Sequence, residues 1–459
     1  MVDRAMDRIV PWITSLPEQP THDLDRAQKL VRAEREPLPE GGVSFRRLLG
    51  QLFERVLPIS LNTASPGYMA YIPGGGLFHA AVADLVADAT NRYVGIWAAA
   101  PGLAQIEQNA IRWFADLAGL PETAGGLLTS GGSLANLGAV VTARHEKLGE
   151  DFLRGTIYTT EQVHHSVRKA ARVAGFPDAN VRVVAMENHR MRVDALRAAV
   201  AADRAAGFQP VMVVASAGTT ATGAIDPLDA IADVCGEEAL WFHVDAAYGG
   251  FFLLTERGRA ALHGIDRADT ITLDPHKGLF LPYGTGCLLA RDRAALRRAH
   301  RVSSAYLPPS QEDPDCWDFA DLGPELSRDP RGLRVWLPLK MHGAAVFRAA
   351  LDEKLDLAAS AAARVAALPG VEIVAPPALS LFAFRVAPPG VTDPEAVDAF
   401  GRRLLTRVNA RKRVFVTGVD VEGRHLLRVC VLSFRTHADR VDMLVEDLAA
   451  AIAELTAAG

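Results

Sequence analysis

Lys277 stands apart from the other lysines by its setting, Thr272-Leu273-Asp274-Pro275-His276-Lys277-Gly278, where an apolar strand pattern runs into a charged turn and a glycine. Lys29, Lys147, Lys169, Lys340, Lys354 and Lys412 lie in charged or helical contexts, where a solvated surface lysine is the ordinary reading. In an open α/β sheet, ligands bind outside the carboxyl ends of the strands, so an amine placed there faces a ligand. A second strand pattern ends in His243-Val244-Asp245-Ala246-Ala247-Tyr248-Gly249-Gly250, with two alanines that admit a flat ring close to the backbone. A buried carboxylate is costly without a cation or donors beside it. Asp245 therefore either caps a neighbouring loop or pairs with a protonated ring nitrogen, which it would keep cationic and electron-withdrawing.

Two further segments carry complementary chemistry. In Gly126-Leu127-Leu128-Thr129-Ser130-Gly131-Gly132-Ser133-Leu134-Ala135-Asn136, glycines let the backbone approach an anion, and Ser133 at a helix start offers hydroxyl and amide donors to a phosphate. The plainer alternative is a serine N-cap after a flexible loop, and no Walker or G-x-G-x-x-G pattern accompanies it. In Glu161-Gln162-Val163-His164-His165-Ser166, adjacent histidines on a helix do not converge on a shared metal. One can lie on a planar ring while the other faces solvent; the alternative is a satisfied structural histidine. Each of the four features falls at a strand end or helix start, in the order phosphate loop, histidine, aspartate, lysine. Lys277 follows Asp245 by 32 residues, room for a helix and a returning strand. Ala215-Ser216-Ala217-Gly218-Thr219-Thr220 adds a small, hydroxyl-bearing strand end between them.

The elements that must position these residues are short apolar runs alternating with helical patterns. Strands are expected at 155–159, 181–185, 210–215, 240–244, 270–273 and 286–289, which gives an α/β domain with a largely parallel sheet over residues 80–340. Residues 1–79 hold helical segments at 24–36 and 45–57 joined by proline-containing links, and read as an arm. After a long helical stretch from 334 to 367, strands at 371–374, 379–386 and 425–432 with two helices predict a smaller α+β domain over 341–459.

Composition narrows the partners. The 459 residues carry 49 Lys plus Arg against 54 Asp plus Glu, a net charge of −5, which excludes a basic nucleic-acid or anionic-membrane binder and leaves small molecules as the expected partners. Hydrophobic residues at 49% indicate an ordinary globular chain. Cys235, Cys287, Cys316 and Cys430 show no C-x-x-C spacing, so neither a metal site nor a disulfide framework is expected. With no signal-peptide core or membrane-spanning run, a cytoplasmic location follows as the expectation.

From about Ser65-Pro66-Gly67-Tyr68 to Leu426-Leu427-Arg428 the chain resembles the pyridoxal-phosphate-dependent group II decarboxylases, of the aromatic-L-amino-acid decarboxylase type. The resemblance is carried most specifically by 243–250 and Asp274-Pro275-His276-Lys277, with support from 97–101 and 321–334. It implies an aspartate-aminotransferase-like fold of type I with a mostly parallel central sheet, an N-terminal arm, a small C-terminal domain, and a homodimer in which the arm crosses the two-fold axis. It further implies that Lys277 forms the internal aldimine with pyridoxal 5'-phosphate, Asp245 pairs with the pyridinium nitrogen and His164 stacks on the ring. Gly132, Ser133 and His276 would hold the phosphate, and Thr220 and Ala247 would line the ring.

The implied reaction decarboxylates an L-amino acid through an external aldimine and a quinonoid, and a loop tyrosine is associated with protonation at Cα. Alignment of Asp318 to Leu326 with that loop puts Phe319, which cannot donate a proton, at the tyrosine position. Either His164 or Tyr306 protonates instead, or the loop aligns differently, or oxygen intercepts the reaction to give an aldehyde, ammonia and carbon dioxide. An amine is the expected product and an aldehyde the alternative. Small residues at Asn62-Thr63-Ala64-Ser65-Pro66 weaken ring stacking while Tyr71 and Trp97 remain, so an aromatic substrate is expected. Cys316 in the same loop raises a desulfurating lyase, and a non-catalytic cofactor-binding protein is the alternative outside enzymes.

Overall fold

Strands that are apolar along their whole length must be covered on both faces, and that is how the central sheet is built. In the structure, a computed structural model that describes residues 1–302 and 313–457, its seven strands are Gly125–Thr129 (β1), Gly155–Thr159 (β2), Val181–Val183 (β3), Gln209–Ser216 (β4), Trp241–Asp245 (β5), Thr270–Leu273 (β6) and Gly286–Ala290 (β7). Their order is β1-β7-β6-β5-β4-β2-β3, with β7 antiparallel to both neighbours and the other pairs parallel. Register sets Ser216, Asp245 and Thr272 side by side, so three carboxyl ends finish level and open on one edge. The helix Gly132–Lys147 lies close to the sheet because Ala135, Ala139 and Ala143, four residues apart on one face, are fully buried.

By its contacts the chain divides into two compact units. The larger comprises Gly74–Asp356 with Pro377–Leu381; the smaller comprises Met1–Pro73, Leu357–Pro376 and Phe382–Gly459. The expected boundaries at 79/80 and 340/341 are thereby corrected, and the N-terminal segment belongs with the C-terminal residues. The cause is local: Tyr68 stacks on Phe415 at 5.7 Å, Met69 N–H donates to the Phe415 carbonyl, and Thr436 Oγ1 donates to the Pro66 carbonyl.

The smaller unit has the sheet Val371–Ala375 (β8), Leu381–Val386 (β9), Thr417–Val421 (β10) and Arg424–Cys430 (β11), in the order β8-β9-β11-β10. Strand β10, absent from the sequence expectation, pairs with β11 through the two-residue turn Glu422-Gly423, both at positive φ. The single helical stretch expected from 334 to 367 is two helices, Gly332–His342 and Ala344–Ala366, separated at Gly343 with φ of 75°. The amphipathic helix Val2–Thr14, also not expected, buries none of its residues. No described helix is long and apolar enough to cross a membrane.

Candidate active site

The carboxyl edge of the sheet opens into a cavity of about 270 Å³ within the larger unit. Its lining includes all eight residues expected around a cofactor: Lys277, Asp245 and His164, the phosphate group Gly132, Ser133 and His276, and Thr220 with Ala247. Three chain features bring them together. At the end of β1, Gly131 takes φ 155° and ψ 171°, a conformation open to glycine alone, and turns the chain into the helix Gly132–Lys147. The first N–H used inside that helix is Leu134's, donated to the Gly131 carbonyl at 3.0 Å, so the N–H groups of Gly132 and Ser133 precede the helix bonds at its positive end. After β6, Pro275 starts a short turn that carries His276 and Lys277.

Lys277 Nζ lies 2.8 Å from Asp274 Oδ2. Asp274 is buried and its Oδ1 has no hydrogen-bond partner among the described residues. His276 donates from Nδ1 to the Thr285 carbonyl at 2.7 Å, and burial lowers its pKa. On the other side, Asp245 accepts from Asn136 Nδ2 at 3.0 Å and from Ala247 N at 3.2 Å. His164 caps the helix His165–Val173 and lines the cavity, while His165 is exposed; burial lowers the His164 pKa. Gly218, at φ 101°, packs where a Cβ would meet the Tyr248 ring at 2.6 Å, so the Thr219-Thr220 turn requires glycine there.

Asn136, Asp274, Ser216 and Tyr248 also line the cavity and were not singled out from sequence. Asn136 and Asp274 lie inside the two motifs read above, and helical or strand-end spacing was the available signal. Among the described residues no group of three or more His, Cys, Asp or Glu side chains could hold a metal.

Phe319, expected at the substrate loop, lies elsewhere. It is fully buried in the core, with the Arg328 guanidinium 4.8 Å from its ring centre and Trp317 edge-on at 6.2 Å. Its polar neighbour Asp318 turns the other way and accepts from Trp97 N at 2.8 Å, which drives the ring inward. The correction removes the residue on which the aldehyde reading was built. Phe319→Tyr is accordingly expected to leave the ratio of amine to aldehyde unchanged and to destabilise the fold by about 1–3 kcal/mol through a buried hydroxyl without a partner; product analysis beside thermal melting checks both.

The remaining expected residues are placed as follows. Trp97 is half-buried and does not line the cavity. Tyr71 belongs to the smaller unit, where its carbonyl accepts from Arg428 at 2.8 Å, tying that arginine to the backbone. Tyr306 lies outside the described residues. Cys316 does not line the cavity, and desolvation with Asp313, Asp315 and Asp318 nearby raises its thiol pKa, against a thiolate nucleophile.

The strand end beside the cavity is held by a buried acid. Asp226 accepts from Ser216 N at 2.8 Å and Met191 N at 2.7 Å, and burial pushes its pKa up to about 6. The folded state thus binds this proton more tightly than the unfolded chain, whose aspartate titrates near roughly 3.9. Its stabilising contribution, roughly 2–3 kcal/mol, is complete below the unfolded value and is lost as pH rises through about 6. Asp226→Asn is expected to flatten the fall in melting temperature between about pH 4 and 7; an unaltered profile would assign that fall to another group.

The fold and the pocket together define an α/β enzyme built to hold a phosphorylated, ring-bearing cofactor. The chain matches the pyridoxal-dependent decarboxylase conserved domain over residues 29–387 and belongs to that family. It is 33% identical to an aromatic-L-amino-acid decarboxylase of Bacillus atrophaeus, over 99% of this chain and 95% of that protein. It is 27% identical to a phenylacetaldehyde synthase of Arabidopsis thaliana, over 86% of this chain and 83% of that one. A solved structure of Oryza sativa TDC with PLP and tryptamine is similar at a TM-score of 0.95 and 28% identity, covering 99% of this chain and 97% of that one. The protein is thus a fold type I, pyridoxal-phosphate-dependent amino-acid decarboxylase, a carboxy-lyase. The residues present fit that cofactor: an amine, a strand-end carboxylate and a helix N-terminus meet in one cavity.

Proposed function

We propose that this enzyme decarboxylates an aromatic L-amino acid and releases carbon dioxide and the amine. The observation that carries the reading is the convergence of Lys277, Asp245 and the Gly132-Ser133 helix start on one cavity. Pyridoxal phosphate supplies the electron sink for the pair left when the bond from Cα to the carboxylate breaks. Lys277 would hold the cofactor through its amine, and Asp274 at 2.8 Å holds the lysine in place. Asp245 would hold the proton of the ring nitrogen, and His164 would cover a ring face. The N–H groups of Gly132 and Ser133 would bind the phosphate with His276 beside them, and Thr220 and Ala247 would line the ring. His164 or Tyr306 delivers the proton to Cα.

The aromatic side chain is supported by kinship with the Bacillus atrophaeus enzyme. A homodimer is supported by the exposed apolar residues of the N-terminal helix, Val2 and Val10. A cytoplasmic location agrees with the free thiols of all four cysteines. The deciding experiment identifies products across a panel of L-amino acids while oxygen is monitored. Amine and carbon dioxide from an aromatic amino acid, without oxygen uptake, are expected. Aldehyde with oxygen uptake, or turnover confined to non-aromatic amino acids, would overturn the reading.

A further inference from the structure

Asn136 is buried in the helix that starts at the phosphate loop, and its side-chain amide has a partner for every donor and acceptor. Its Nδ2 donates to Asp245 Oδ2 at 3.0 Å and to Ser166 Oγ at 2.9 Å. Its Oδ1 accepts from Thr272 Oγ1 at 2.7 Å and lies 3.0 Å from His243 Nε2. The amide has only one workable orientation, because a carboxylate only accepts and the NH2 must face Asp245.

That orientation propagates in two directions. Since Asn136 Oδ1 is an acceptor, His243 Nε2 must carry a hydrogen. Burial lowers the His243 pKa to about 4, so the ring is neutral near pH 7 and its Nδ1 bears a lone pair. Thr270 Oγ1, 2.9 Å away, donates to that lone pair, and itself accepts from Trp241 Nε1 at 2.9 Å. Tryptophan only donates. The chain Trp241, Thr270, His243, Asn136, Asp245 therefore runs one way, between a group that can only give and a group that can only receive.

The second amide hydrogen of Asn136 starts a branch. Ser166 Oγ accepts it, so the serine hydroxyl directs its own hydrogen to His164 Nδ1, 2.7 Å away. Ser166 N donates to the same nitrogen at 3.3 Å. His164 is thereby held with its lone pair on Nδ1 and its hydrogen on Nε2.

We propose that Asn136 is a positioning residue that sets two things at once: the orientation of the Asp245 carboxylate, and the tautomer of His164, a ring it does not touch through any hydrogen bond of its own. The role rests on the reading above that Asp245 and His164 face the cofactor. A neutral His164 with hydrogen on Nε2 keeps a donor on the ring edge that Ser166 does not occupy. Aspartate at 136 would set a second carboxylate against Asp245, and leucine would strip partners from buried Asp245, Ser166, Thr272 and His243 together.

Ring nitrogen NMR of the histidine-labelled full chain tests this without relying on turnover, with His164 and His243 assigned from the signals missing in His164→Gln and His243→Gln. Wild type is expected to show both rings as Nε2–H tautomers before cofactor is added; hydrogen on Nδ1 of either ring overturns the relay. In Asn136→Ala the ratio of His164 tautomers is expected to fall by about tenfold, as loss of one directed hydrogen bond implies. An unchanged ratio in that variant overturns the coupling, and if the variant does not fold, the wild-type assignment still decides. Adding pyridoxal phosphate to wild type should move the His164 signals. Binding that leaves them in place would overturn the site assignment, and with it the positioning role, while the tautomer result stays as measured.

Discussion

Lys277→Ala is expected to lower decarboxylation by on the order of 10³-fold or more and to erase the absorption band that the cofactor acquires on covalent attachment. The amine stands at the carboxyl end of β6, in the cavity, and among the described residues no other lysine lines it. The helix start proposed to hold the phosphate is untouched by the substitution, so the cofactor should still bind, more weakly and without the band. Loss of the ion pair with Asp274 disturbs the site by itself, because Asp274 is buried and one of its oxygens has no partner among the described residues. Lys277→Arg separates the two effects: it keeps a cation for Asp274 but offers no amine that can condense. Equal loss in both variants assigns the effect to the lysine's covalent chemistry. Substantial turnover by the arginine variant would reduce Lys277 to an electrostatic partner of Asp274 and send the search for the reactive amine elsewhere.

The cavity residues were legible in the sequence where their positions follow from strand ends. Asp245 closes an apolar run and Lys277 follows one by a short turn, and the register of β4, β5 and β6 then brings those strand ends level. Gly132, Ser133 and His164 were legible as helix starts. Asn136 was passed over because it sits one turn inside a helix, where an amide facing inward looks the same in sequence as one facing water. Phe319 was misplaced for the opposite reason. Alignment along a loop fixes order but not depth, and it is the full burial of Phe319 and the packing of Arg328 on its ring that show the side chain pointing into the core. The domain boundary was missed because it depends on pairs more than three hundred residues apart, such as Tyr68 with Phe415 and Pro66 with Thr436.

Arg328→Met is expected to destabilise the larger unit by about 3–5 kcal/mol, the effect of leaving one buried charge without its partner. Arg328 and Glu107 have side chains 0% and 1% exposed and meet at 2.7 Å. Around them, Glu107 Oε1 accepts from Leu128 N at 3.0 Å, and Arg328 Nη2 donates to the Leu128 carbonyl at 2.7 Å. The pair thus clasps both polar groups of one residue of β1, two positions before Ser130 and the phosphate loop. Glu107 Oε2 and Arg328 Nε and Nη1 have no hydrogen-bond partner among the described residues, so the pair is incompletely satisfied and its net worth against an uncharged replacement is small. Glu107→Gln combined with Arg328→Met removes both charges and keeps an acceptor for Leu128 N. This double variant should recover most of the loss seen in Arg328→Met, as a double-mutant cycle of thermal or denaturant unfolding would show. Cofactor affinity should follow the same pattern, low in the single variant and restored in the double, because slack in β1 passes directly to the Gly132 and Ser133 donors. If the double variant melts as early as the single, the anchor is the arginine's packing on Phe319 rather than its charge. If stability recovers while cofactor affinity does not, the arginine's bond to the Leu128 carbonyl is what holds the phosphate loop in register.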